Sequence, residues 1–150
     1  MPVLFATEPV GAITFECVGV RADHLRAVRR LAVPPRPVRL TFRRVSHNGV
    51  PFGYLTTALD SPVASAAFAV DATGCGAGPP VASTLSRSLF LKNLRELNLD
   101  GNRLDGPAAV SLACSARLAG LERLSLRGNE GIGHVARRML HERFGDRLAL

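Results

Sequence analysis

The stretch LRELNLDGN, from Leu94 to Asn102, decides how the chain reads. Leucines stand at 94, 97 and 99, and an asparagine follows three places after the last. Leu97 and Leu99 alternate with Glu96, Asn98 and Asp100, the period of a strand that buries one face and shows the other to solvent. The same stretch recurs as LERLSLRGN, from Leu121 to Asn129, at an offset of 27 residues. Leu97 then maps to Leu124, Leu99 to Leu126 and Asn102 to Asn129.

Self-similarity at a fixed period is the mark of an array of stacked units. Upstream, FAVDATGC places Phe68, Val70, Thr73 and Cys75 where Leu97, Leu99, Asn102 and Leu104 stand, at offset 29. LTFRRVSH places Leu40, Phe42, Val45 and His47 in the same frame at offset 28, and ITFECVGV places Ile13, Phe15, Val18 and Val20 there at offset 27. Five copies tile residues 13 to about 145, the last two sharp and the first three degenerate. Each strand is followed by a helix-like segment with an apolar residue at Val28, Leu55, Leu85, Leu112 or Met139. In the first, Leu25, Val28 and Leu31 share one helical face, with Asp23 as N-cap; in the last, the apolar set is Val135, Met139, Leu140 and Phe144. The turn signals PPRP, SP, GPP, DGP and GIG separate the parts.

One strand and one helix of about 28 residues cannot bury their own apolar faces, so copies must stack. The reading is an α/β fold in a single domain over residues 1–150. Its strands pair in parallel through right-handed crossovers, with the helices outside. Residues 1–12 form an N-terminal cap, with Val3–Ala6 beside the first copy; 13–90 hold the degenerate copies, 91–145 the clear ones, and 146–150 a capping strand using Leu148 and Leu150. Arg137, Arg138, His141 and Arg143 are expected to solvate the final helix.

LRELNLDGNRL and LERLSLRGNEGIG match L-x-x-L-x-L-x-x-N/C-x-L and resemble leucine-rich repeats. Unit length and the outer helix resemble the ribonuclease-inhibitor-like subclass, and the closing RRMLHERFGDRLAL is similar to the terminal segment of many bacterial members. The resemblance implies a short right-handed horseshoe arc, a solenoid with the parallel sheet on the concave face. It also implies a non-catalytic protein-binding role, and an asparagine ladder through Asn102 and Asn129. Val18, Val45 and Thr73 stand at the corresponding places of the earlier copies, so a looser N-terminal half is expected. Gly131 replaces the anchor matching Leu104, leaving Ile132 to fill that space.

Composition sets the bounds. Apolar residues make up 47% of the 150, enough for a folded core. No apolar run approaches the roughly 20 residues of a membrane helix. The opening MPVLFATEPVGAITF lacks a basic region and reads as mature sequence. Cys17, Cys75 and Cys114 are odd in number and widely spaced, which argues against a disulfide framework or zinc site and for a cytoplasmic setting. The net charge of +7 is nearly all arginine, since Lys92 is the only lysine, and it is spread along the chain. Between His24 and Leu59 there is no acid, while Arg26, Arg29, Arg30, Arg36, Arg39, Arg43 and Arg44 all occur.

No catalytic constellation, cofactor motif or metal site emerges. Cys75 and Cys114 read as buried, inert thiols. His24, His47, His134 and His141 lack metal-ligand spacing, and TGCGAGPP lacks the G-K-[ST] of a phosphate-binding loop. That leaves the solvent side of the strands. Its rows are Ala12, Thr14, Glu16; Arg39, Thr41, Arg43; Ala67, Ala69, Asp71; Glu96, Asn98, Asp100; and Arg123, Ser125, Arg127. Glu96 falls beside Arg123 and Asp100 beside Arg127. One reading is lateral ion pairing that neutralises the face, which the matched charges favour. The other is a polar strip for a protein partner, with Arg39, Thr41, Arg43, Glu96, Asn98, Asp100, Arg123, Ser125 and Arg127 as its contacts. Nucleic-acid or anionic-surface binding through residues 24–59 is the alternative, and a decaying array without a dedicated partner is a third.

Overall fold

The computed structural model describes residues 5–8, 11–16, 22–43 and 52–150. After two consecutive strands, helices and strands alternate along the described residues. The strands are β1 (Phe5–Glu8), β2 (Ala12–Glu16), β3 (Val38–Arg43), β4 (Ala67–Asp71), β5 (Glu96–Asn98), β6 (Arg123–Ser125) and β7 (Leu148–Ala149). The helices are α1 (Ala22–Arg29), α2 (Phe52–Leu59), α3 (Pro79–Arg87), α4 (Gly106–Cys114) and α5 (His134–Phe144). The seven strands among the described residues form one sheet in sequence order; β2 to β7 are parallel, and β1 closes one edge antiparallel to β2. Each helix packs on the next along the chain.

The core lies between the two layers. Phe15, Leu40, Phe42, Val70, Leu97, Leu99, Leu124 and Leu126 from the strand side meet Val28, Leu55, Leu85, Leu112 and Leu140 from the helices, all buried in one cluster. Burying each of these large side chains contributes about 1.5–3 kcal/mol. The first strands are held by aromatic contact: Phe15 stacks on Phe42 with centroids 4.8 Å apart, and Tyr54 meets Phe15 edge-on at 5.8 Å. In α5, Leu140 takes the central place and Met139 is only partly buried; Val135, expected in the apolar set, is 58% exposed. Ala136 occupies the core side of that turn instead. Ile132 is buried as expected, and a side chain at Gly131 would come within 2.8 Å of the Leu104 carbonyl oxygen. Asp23 lies in the first turn of α1, where it pairs with Arg26, rather than ahead of the helix as its cap.

Strand register corrects the frame of the third copy. Val70, not Phe68, pairs with Leu97, so the offset from β4 to β5 is the same 27 residues as from β5 to β6. The anchors are therefore Ala67, Val70, Ala72 and Ala77, all buried, while Phe68 is half-buried. Small residues fill these places, so the larger Phe68 misled the sequence reading. The irregularity falls one step earlier, where pairing shifts between Val38 and Arg39.

In this frame Cys75, not Thr73, occupies the asparagine position. Asn102 Nδ2 donates to the carbonyls of Ala72 and Leu99 at 2.9 and 2.8 Å, and its Oδ1 accepts from the Ala77 amide at 2.8 Å. Asn129 repeats this with Leu99, Leu126 and the Leu104 amide. Cys75 Sγ donates to the Phe42 carbonyl at 3.1 Å, the place equivalent to Ala72 and Leu99. The turns that carry these groups need a left-handed residue, met by Gly74, Gly101 and Gly128 with φ of 63°, 63° and 68°. Val18, Val45, His47 and Val20 lie outside the described residues.

A second periodic set sits at the helix ends. Ser61, Ser88 and Ser115, spaced 27 apart, are all buried. Ser88 Oγ donates to the Leu59 carbonyl at 2.8 Å and accepts from the Phe90 amide; Ser115 Oγ donates to the Ser86 carbonyl at 3.1 Å and accepts from the Arg117 amide. One unit further on, Arg143 donates to the Ser115 carbonyl at 2.9 Å. Arg137 donates to the Ile132 carbonyl. Of the four side chains expected to solvate the last helix, Arg138 and His141 are exposed, while Arg137 and Arg143 are half-buried. β7 forms at Leu148–Ala149 as expected, and Phe5 and Ala6 pair in β1, while Val3 and Leu4 lie outside the described residues.

Asn102→Ala strands an amide and two carbonyls and should lower the unfolding free energy by about 3 kcal/mol, with Asn129→Ala close behind. A loss under about 1 kcal/mol in urea unfolding would show that these amides add little. Burial, aided by Asp71, pushes the Cys75 thiol up to about 11 from an ordinary 9. Its protonated state therefore supports the fold fully below pH 9, and that support is lost as pH rises through about 11. The stability difference between wild type and Cys75→Ala should shrink over that window, and iodoacetamide at pH 8 should label the exposed Cys114 well before Cys75.

Candidate binding face

The strand residues that point away from the core form rows across the sheet. Register places Arg39 beside Ala69, Ala69 beside Glu96, and Glu96 beside Arg123. The next row runs Thr41, Asp71, Asn98, Ser125 and Ala149. The expected third row of Ala67, Ala69 and Asp71 is thus replaced by Ala69, Asp71 and, in the following turn, Thr73. Ala67 belongs to the core although alternation counted from Val70 would put it on the face, because the shift in pairing between Val38 and Arg39 takes up Phe68 as an extra residue of β4.

Glu96 is the centre of the charged row. Its Oε2 accepts from Arg39 Nη2 at 2.7 Å, and its Oε1 lies 3.9 Å from Arg123 Nη1. The Arg123 contact is the expected neighbour pairing, loose and 81% exposed at the arginine. The tight contact spans two strand intervals, about 9.6 Å. It crosses Ala69, which is fully buried, and a larger side chain there would stand in the path. The Arg39 guanidinium also lies 5.6 Å from the centre of the Phe68 ring. The Arg39–Glu96 pair therefore bridges the small residues of β4 at Ala69.

Asp100 and Arg127 do not form the expected side-chain pair. Asp100 Oδ1 accepts from Ser125 Oγ at 2.6 Å and from the backbone amide of Arg127 at 2.8 Å. The local N–H and O–H groups satisfy the carboxylate without the entropy cost of fixing a long, mobile guanidinium side chain. Among the described residues no acid pairs with the exposed Arg127 side chain. Asp71 is held likewise by the Thr73 amide and hydroxyl at 3.1 and 2.7 Å.

An open depression of about 610 Å³ lies over β5 to β7, lined by Arg39, Glu96, Asn98, Arg123, Ser125 and Arg127 among others. Thr41, Arg43 and Asp100, also named from the sequence, lie outside its lining. Glu122, Asp146 and Arg147 join it, though the sequence reading passed over them. The latter two come from the turn before β7, whose return beside β6 was expected only as a cap.

The remaining chemistry-bearing groups do not converge. Among the described residues no three of His, Cys, Asp and Glu are placed to hold a metal. Cys114 ends α4 and is exposed, against the expectation of a buried thiol, while Cys75 is buried as expected. His134 and His141 are exposed; Cys17 and His47 lie outside the described residues. Among the described residues no helix is long and apolar enough to cross a membrane.

A double-mutant cycle measures the clamp on Glu96. Arg39→Met with Glu96→Gln should give a coupling of about 0.5–1 kcal/mol at low salt, falling in 1 M NaCl. The cycle with Arg123→Met should give a coupling of about zero, and equal couplings would contradict the geometry. In comparisons with protein-family models, curated proteins and solved structures, nothing matches this chain.

Proposed function

We propose that the chain is a non-catalytic leucine-rich-repeat module, of the ribonuclease-inhibitor-like kind, that binds a protein partner through its sheet face. The 27-residue spacing of β4, β5 and β6 and the buried side chains of Cys75, Asn102 and Asn129 support a short arc-shaped solenoid with the sheet on its inner side. The observation that carries the binding role is the open depression over β5 to β7, rimmed by polar side chains in register. Flat registered rows of this kind suit a protein surface better than a small molecule. Free thiols at Cys75 and Cys114 agree with a reducing, cytoplasmic setting.

The protein reading is preferred to nucleic acid at residues 24–59. Two arginines of that acid-free stretch are already committed, Arg26 to Asp23 and Arg39 to Glu96. Arg44 lies outside the described residues.

Affinity capture from native lysate tests the role. The sheet-face variant Arg123→Glu/Arg127→Glu should lose the captured protein, while a helix-side variant, Arg138→Glu/Glu142→Arg, should retain it. Retention by the first with loss by the second would move the interface to the helices. Capture of nothing by wild type would favour an array without a dedicated partner.

A further inference from the structure

The acids and bases of the sheet face are equal in kind but unequal in availability. Over β4 to β6 every acid already has a partner within the protein: Asp71 Oδ1 accepts from Thr73, Glu96 pairs with Arg39, and Asp100 Oδ1 accepts from Ser125 and the Arg127 amide, so the acids keep their charge but are held in place. Glu122, at the rim, faces Arg95 at 3.7 Å. Arg147 is spent on backbone, donating to the carbonyls of Phe144, Leu121 and Arg143. Arg123 and Arg127 remain, both exposed, with only the loose 3.9 Å approach of Arg123 to Glu96. Asp146 bounds the cationic patch on the β7 side.

From this we infer that the partner segment is an acidic peptide laid in extended form over β5 to β7, with carboxylates on Arg123 and Arg127. The inference rests on the sheet-face reading above and narrows it. Arg123 stands in β6 and Arg127 in the turn that follows, four residues on and at most about 13 Å away, within reach of acidic side chains at positions i and i+4 of a ligand strand. Arginine forms bidentate pairs with carboxylates and is favoured where binding energy concentrates. A polyphosphate backbone fits the same face less well. It would run its regular negative charge past Asp71, Glu96, Asp100 and Asp146, whereas a peptide places carboxylates only where arginines wait.

Selection of a phage-displayed library of random dodecapeptides against the full chain tests this. The peptides recovered by wild type should be enriched about twofold or more in Asp and Glu, with a recurring four-residue spacing. Arg123→Glu/Arg127→Glu should lose those peptides and recover basic ones; circular dichroism checks that the variant is folded. Thr41→Trp, on the same face but outside the depression, separates two kinds of failure. Peptides that lack acid enrichment yet are weakened by either variant would overturn the acidic inference and leave sheet-face binding standing. Peptides indifferent to both variants would overturn the sheet-face reading with it. A 20-nucleotide single strand that bound wild type at low salt and outcompeted the selected peptides would replace the acidic-peptide partner with nucleic acid. Recovery of no peptide would also count against the proposal.

Discussion

The amide of Asn102 is the interaction on which the arrangement depends. It is buried and touches three backbone segments at once: its own turn, the preceding strand end at Ala72, and the loop at Ala77. A buried amide left partly unsatisfied is expensive, so only one spacing between successive units is tolerated. Asn129 imposes the same spacing on the next unit, and Cys75 a weaker version on the previous one. The serines at 88 and 115 repeat the constraint at the helix ends. Leucine anchors alone would accept small slips, because hydrophobic contact is not directional. The polar groups on both sides of the core remove that freedom.

Register fixed in this way determines the sheet face. Arg39, Ala69, Glu96 and Arg123 fall on one row because β4, β5 and β6 keep the 27-residue register and the shift between Val38 and Arg39 brings Arg39 beside Ala69. A shift of one residue would turn every side chain to the opposite face. The two clamped strands then differ by a property of the intervening one: Ala69 is small enough to let Arg39 reach past it.

Much of this was legible in the sequence wherever large residues mark the period. LRELNLDGN and LERLSLRGN placed β5 and β6, their anchors, and Glu96 beside Arg123. The unit around β4 was framed two residues out because Phe68 looks more like an anchor than Ala67, Ala72 or Ala77. In a packed interior the space available decides, and a small residue can hold an anchor position that hydrophobicity alone would not assign to it. Holding the 27-residue spacing constant would have found Cys75, since the pattern admits cysteine at that place, and the buried serines as well. The Arg39–Glu96 clamp was not legible, because it joins residues two strands apart and depends on the side chain between them. The failure of Asp100 to pair with Arg127 has a similar source: sequence alignment gives neighbours, but not whether a hydroxyl or an amide reaches the carboxylate first.

Hydrogen bonding also changes what the face's charge means. Counted as neighbours, Glu96 offsets Arg123 and Asp100 offsets Arg127, which was the ground for expecting self-neutralisation. The carboxylates, however, are held by short, local donors and by one arginine that crosses a strand. Each satisfied acid loses its call on a distant arginine, since the entropy of fixing a long side chain is offset only by a contact not already made. Pairing within the face therefore liberates Arg123 and Arg127 rather than neutralising them. The feature that argued for an inert surface is the one that leaves two guanidinium groups facing solvent over the depression.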